Sequence, residues 1–213
     1  ITIAFFFLLC PGEYTGLPSD TTPFRLADVA LFVGAVRLNL FTCSAHDIST
    51  ATFATLEFTI QKNGVRGEVV GLGHSGDPHF CPVTALSRRI SHLLQHHAPP
   101  TTFLALYQHN NRWQPVRPAD ITHALRMAAV ALGPTYGFIP SDISARSLWA
   151  AGAMALLCAK VDHDTIRLIG RWRSDKMLRY LHVQAAPVMH NFSSRMLREG
   201  TFTLHPNHQV PLH

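Results

Sequence analysis

The chain has 213 residues, 47% of them hydrophobic and 15% charged, which is enough apolar material for one buried core and too much for a disordered segment. Its formal charge of +5 and its pI near 9.3 suit a polyanionic partner such as nucleic acid better than an acidic-protein class. Fourteen histidines add positive charge below neutrality.

In chain order, Ile1 to Leu9 is apolar, lacks a basic leader and a small-residue cleavage site, and is too short to span a bilayer. It predicts a buried helix from Ile1 to Cys10, cut from a longer reading frame and ended by Pro11-Gly12; a trimmed signal peptide is the alternative. Branched and aromatic residues from about Phe24 to Val33 predict a strand. In Thr52–Ile60, Ala54, Leu56, Phe58 and Ile60 alternate with Thr55, Glu57 and Thr59, the pattern of a half-buried strand. Asn63-Gly64 then signals a turn, and Gly67 to Leu72 the return strand of a hairpin.

After Asp77-Pro78 the pattern becomes helical. Pro82 opens a helix whose stripe is Val83, Leu86, Ile90, Leu93 and Leu94, and the His-Ala-Pro-Pro run at 97–100 ends it. A helix from about Pro118 to Leu132 closes at Gly133-Pro134. Ser141-Asp142 caps the next, to about Lys160. Asp162 or Asp164 starts a short helix to Gly170, and Ser174-Asp175 starts another carrying Tyr180. Gln184 to Arg198 reads as a last helix, and the segment from Gly200 as a mobile tail. The order predicts an α+β fold, mainly helical, with a small antiparallel sheet.

The cysteines, Cys10, Cys43, Cys81 and Cys158, lie far apart with no C-x-x-C pair, which predicts reduced thiols in an intracellular protein. His74, His79 and Cys81 are close together but lack a second ligand pair, so no metal site is predicted.

One constellation carries chemistry. Ser144-Ala-Arg-Ser-Leu-Trp-Ala-Ala-Gly-Ala153 is followed by Leu168-Ile-Gly-Arg-Trp-Arg-Ser174, and Tyr180 lies nine residues after Arg171. This spacing resembles the catalytic domain of the tyrosine recombinases (phage-integrase type), which reads H-x-x-R, then G-H, then the tyrosine. The look is closest to the recombinases of DIRS-like or Crypton-like eukaryotic mobile elements, and it covers roughly residues 1–185.

The resemblance implies DNA recombination or integration. A tyrosine attacks a DNA phosphodiester to form a 3′-phosphotyrosyl link, two arginines hold the non-bridging oxygens, and a hairpin lysine protonates the leaving 5′-hydroxyl. It implies no metal, nucleotide or other cofactor, and no membrane. The chemistry is consistent with such a set. Charge on the equatorial oxygens must meet cations fixed in advance, and a phenol needs neighbouring cations to ionise.

On this pattern Tyr180 matches the nucleophile and Lys62, just before Asn63-Gly64, the hairpin lysine. Arg146 takes the H/K position of H-x-x-R and Arg171 the third H/W position, with Trp172 beside it. Two positions depart. Cys10 stands where the family's first arginine opens R-x-x-E, leaving Glu13 without its arginine, and Trp149 stands in the second-arginine slot. Small residues around Trp149 (Ala150, Ala151, Gly152, Ala153) let helices pack closely, so a packing role for this indole competes with a catalytic one. Arg66, Arg88, Arg89, Arg167 and Arg173, with Arg112, Arg117 and Arg126, are candidate DNA-phosphate contacts.

Double-stranded DNA is therefore the expected partner. A homo-oligomer on DNA, joined through the helix at 186–198, is a further expectation, and so is nuclear residence if the source is a eukaryotic element. Strand chemistry is expected to be impaired at Cys10 and Trp149. The alternative is a catalytically inactive DNA-binding or assembly module with the same fold.

Overall fold

A computed structural model describes residues 1–15, 22–59, 67–136 and 139–172. Its helices are α1 (Thr2–Phe6), α2 (Pro11–Tyr14), α3 (Ala45–Ser49), α4 (Pro82–Gln95), α5 (Pro118–Tyr136), α6 (Ser147–Cys158) and α7 (His163–Ile169). Its strands are β1 (Val29–Val33), β2 (Val36–Arg37), β3 (Phe53–Phe58), β4 (Glu68–Gly73), β5 (Leu106–His109) and β6 (Arg112–Pro115). The class is α+β, with a small antiparallel sheet of order β2-β1-β3-β4.

The sheet follows the alternation in the sequence. Ala54, Leu56 and Phe58 of β3 are buried, Thr55 pairs with Ala30 of β1 on one side and with Gly71 of β4 on the other. The face they form with Leu31 packs on α4, whose Val83, Leu86, Ile90 and Leu93 are fully buried. Pro82 at the start of α4 costs nothing, because the first helical N–H has no intrahelical acceptor.

Four elements differ from expectation. The strand expected from about Phe24 begins only at Val29, after a 3-10 turn at Leu26–Asp28. The predicted helix over Ile1–Cys10 is split: α1 ends at Phe6, Leu8 turns left-handed (φ 50°), and Cys10 is the cap of α2. Pro11 suits the first turn of α2, where its missing N–H has no intrahelical acceptor. The helix predicted from Ser141-Asp142 begins only at Ser147. Pro140–Asp142 forms a 3-10 turn, and side chains hold the next residues off the helix: the Ser144 N–H donates to Ser147 Oγ (3.0 Å) and the Ala145 N–H to Thr122 Oγ1 (3.0 Å). Helix α5 runs past Gly133-Pro134 to Tyr136, since a proline in a final turn removes only one i−4 bond and its fixed φ is already helical.

A hairpin, β5–β6, falls in a stretch where the sequence predicts no element. Its two-residue loop is Asn110-Asn111, both left-handed (φ 49° and 57°), the conformation of a type I′ turn.

Helices α6 and α7 close the described part. Gly152 lies against α1 so tightly that a Cβ there would stand 2.3 Å from the Phe5 carbonyl oxygen and 2.4 Å from Leu8 Cδ2. Ala153 and Ile166 form a second small core with Trp172 packed on it. Of the two aspartates the sequence offers, Asp162 caps α7, accepting from the Thr165 N–H (2.8 Å), and Gly170 ends the helix as expected.

Candidate functional site

Where α1, α2, α6 and α7 meet, the fold brings together positions far apart in sequence. Glu13 sits in α2, buried, and accepts from the Cys10 backbone N–H through Oε2 (2.7 Å). Arg171 follows α7 in a left-handed conformation (φ 57°) and sends its guanidinium inward. Nη2 donates to Glu13 Oε2 (3.2 Å) and to the Leu8 carbonyl (3.0 Å); Nη1 donates to the carbonyls of Phe7 (3.2 Å) and Ile169 (2.8 Å). The Phe58 ring lies 3.8 Å from the guanidinium carbon, a cation–π contact from the sheet. The Arg171 and Glu13 side chains are 3% and 7% exposed, so this ion pair is shielded from salt.

Burial sets the electrostatics. It pushes the Glu13 carboxyl above its ordinary value, against the opposing pull of Arg171 and the Cys10 N–H. It also pushes Arg171 down, against the nearby Glu13 charge. Tyr14, on α2, donates from Oη to the Ala145 carbonyl (2.8 Å), and burial pushes its phenol up.

The expectation that Glu13 lacks an arginine is corrected. Arg171 supplies one from the opposite end of the domain. Each of the Arg171 hydrogen bonds named above is internal, so the guanidinium faces the core and not the surface.

Trp149 is half-buried on α6 and meets Trp172 edge to face, ring centres 4.5 Å apart at 78°. Trp172 reaches it by lying over Gly170, where a Cβ would stand 2.4 Å from the indole. This glycine is needed for close approach, since its own φ is that of a right-handed helix. The packing reading of Trp149 is thus what this structure displays. Cys10 keeps its side chain exposed while its backbone holds Glu13.

Arg146 is exposed at the cap of α6, one turn before Trp149 and next to the residue that binds Tyr14. Arg88 is exposed on α4. Arg89 beside it is half-buried, donates from Nε to the Leu104 carbonyl, and is pushed down to about 10 by burial; it ties α4 to the loop before β5. Arg167 pairs with Asp164 one turn back (3.1 Å). Arg126 is turned onto the carbonyls of Ile143 (2.9 Å) and Ser141 (3.1 Å). Lys62, Arg66, Arg173, Tyr180 and the helix expected over 186–198 lie outside the described residues.

The structure therefore joins Cys10, Glu13 and Arg171 in one hydrogen-bonded group, places Trp149 on Trp172, the neighbour of Arg171, and leaves Arg146 exposed at the start of α6. Sequence reasoning missed the carbonyls of Phe7 and Leu8 and the Phe58 platform, which no residue type or spacing announces.

Compared with protein-family models, with curated proteins and with solved structures, the chain matches none.

Proposed function

We propose that this chain is a catalytic domain of the tyrosine recombinase type that acts on double-stranded DNA, with its strand chemistry impaired. The observation that carries the reading is the convergence around Arg171. The recombinase pattern names positions 10, 13, 149 and 171; Glu13 is bonded to the Cys10 N–H and to Arg171, and Trp149 packs on Trp172, the residue after Arg171.

The impairment follows from charge. A phosphoryl-transfer transition state without a metal requires fixed cations at its equatorial oxygens. Here one arginine position holds a thiol, another an indole, and Arg171 is engaged by Glu13. Each missing donor of this kind typically costs about 10²–10³ in rate. Lys62 as general acid, Tyr180 as nucleophile and Arg146 as the remaining phosphate donor complete the proposed machinery. Assembly on DNA through residues 186–198 and nuclear residence belong to the same proposal.

The inward commitment of Arg171 also favours a second reading, a DNA-binding or assembly module without chemistry. A trapping experiment separates the two. The protein is incubated with a randomised pool of nicked duplexes and resolved on a denaturing gel, using the chain as it stands, Cys10→Arg/Trp149→Arg, and that double variant with Tyr180→Phe. A covalent adduct that needs both arginines and disappears with Tyr180→Phe supports the impaired recombinase. DNA binding with no adduct from any variant supports the module, and absence of both sinks the family reading.

A further inference from the structure

Away from that junction, a thiol and an imidazole are paired where β4 leads into α4. Cys81 caps α4, and its Sγ lies 3.1 Å from Nδ1 of His74. The other imidazole nitrogen, Nε2, lies 2.9 Å from the Ala51 carbonyl oxygen. A carbonyl only accepts, so Nε2 carries a hydrogen. Nδ1 is then the nitrogen that shares a proton with the thiol. A nucleophile, a base within reach of it, and a third group that orients the base make up the arrangement of an activated thiol.

The surroundings stabilise a thiolate. Burial by itself would push the Cys81 thiol up, but hydrogen bonds from the Thr84 hydroxyl and N–H, from the Ser75 backbone and from His74 overcome it and bring it to about 6. His74 moves the opposite way, raised chiefly by its bond to Cys81, as an ion pair requires. Cys43 shows the contrast: burial and Asp47 push its thiol up.

Cys81 is 2% exposed, and the residues that lead into it, 73–80, are all exposed. That loop is held by its own short bonds: Asp77 accepts from the N–H groups of His79 and Phe80 (2.7 Å each), and Ser75 Oγ donates to the Phe80 carbonyl (2.8 Å). Beside it opens a groove of about 410 Å³ lined by His74, Thr84, Ser87, Arg88 and His92. His74 and Thr84, the two side chains bonded to the Cys81 thiol, both line this groove, and hydrogen peroxide is small enough to enter it.

We propose that Cys81 is a peroxide-reactive thiol, activated by His74 and oxidised by hydrogen peroxide to a sulfenic acid. The thiolate sulfur attacks one peroxide oxygen, forming an S–O bond as the O–O bond breaks. Sulfur loses two electrons and the peroxide gains them. The departing hydroxide takes the Nδ1 proton of the His74 imidazolium and leaves as water, and the Cys81 sulfur carries the remaining OH group. The donors that hold the thiolate also suit the polar product.

Exposure alone would rank Cys10 first, because it is the exposed cysteine of the four. The test exploits that opposition. The full chain receives a short pulse of hydrogen peroxide, catalase stops it, and the protein is unfolded in dimedone, so that any sulfenic acid is trapped whatever its burial. Adducts are then mapped by peptide mass spectrometry. Cys81 should label about tenfold faster than Cys10 at pH 7, and its rate should drop about tenfold by pH 5 as the thiolate takes a proton. His74→Gln should slow Cys81 about tenfold and leave Cys10 unchanged. Labelling of Cys10 ahead of Cys81, or a Cys81 rate indifferent to pH, overturns the proposal. The pH profile uses the unaltered chain, so it decides the matter even if His74→Gln fails to fold.

Discussion

Arg171 and Glu13 show how a buried charge constrains a single residue. Removing one partner of such a pair typically costs about 3–5 kcal/mol, while replacing both by apolar groups is often close to neutral. The two single losses are not equivalent, because a stranded carboxyl can take a proton and a stranded guanidinium cannot. Glu13→Leu should therefore destabilise more than Arg171→Met, and the double variant should recover much of the loss; urea unfolding of the four proteins measures the coupling.

The same pair sets a pH dependence. Burial raises the Glu13 carboxyl, so the native chain holds a proton there at pH values where the unfolded chain has released it. Unfolding in that window releases protons, and the contribution of Glu13 to stability falls as pH rises from the ordinary carboxylate range through the raised value. Glu13→Gln keeps an acceptor for Arg171 and lacks the titration. The melting temperature of the natural chain relative to this variant should fall as pH rises above the ordinary carboxylate range, and a constant difference would refute it.

Between elements, α1 and α6 approach closely at Gly152. An exposed helix glycine replaced by alanine usually gains about 1 kcal/mol from propensity. Here the new methyl meets the Phe5 carbonyl oxygen at 2.3 Å, which is backbone and has no rotamer to give way. Gly152→Ala should instead destabilise by about 1–3 kcal/mol in chemical denaturation, and a stabilised variant would show that the helices slide apart freely. On α4, Ile90→Ala empties a fully buried site against the sheet and should cost about 2–5 kcal/mol. Trp149→Arg, needed for the trapping experiment, breaks an edge-to-face pair worth roughly 0.5–1.5 kcal/mol beyond its buried area, so its melting temperature must be checked alongside.

For the molecule as a whole, Arg88, Arg112, Arg117 and Arg146 are exposed candidate phosphate contacts among the described residues, whereas structural bonds engage Arg89, Arg126 and Arg167. If DNA binds as proposed, each phosphate contact adds about −0.9 to the slope of log affinity against log salt. Arg88→Gln/Arg146→Gln should lower affinity and flatten that slope by about 2; an unchanged slope would place the DNA elsewhere.

Sequence alone determined the periodic elements. Ala54, Leu56 and Phe58 alternate into the sheet, Val83, Leu86, Ile90 and Leu93 line one side of α4, and Asp162 and Gly170 bracket α7. These are short-range patterns: each residue's burial follows from its neighbours two, three or four positions away. The small residues about Trp149 likewise announced a close helix contact. The Asn110-Asn111 hairpin was a weaker local signal, because the second residue is not the usual glycine. What the tertiary structure decided is pairing across the chain. Arg171 lies 158 residues from Glu13, His74 takes its orientation from the Ala51 carbonyl, and the groups that hold Arg171 include backbone oxygens of Phe7 and Leu8. A carbonyl has no side-chain identity to read, and a buried cation finds its partner only once the helices have closed on it.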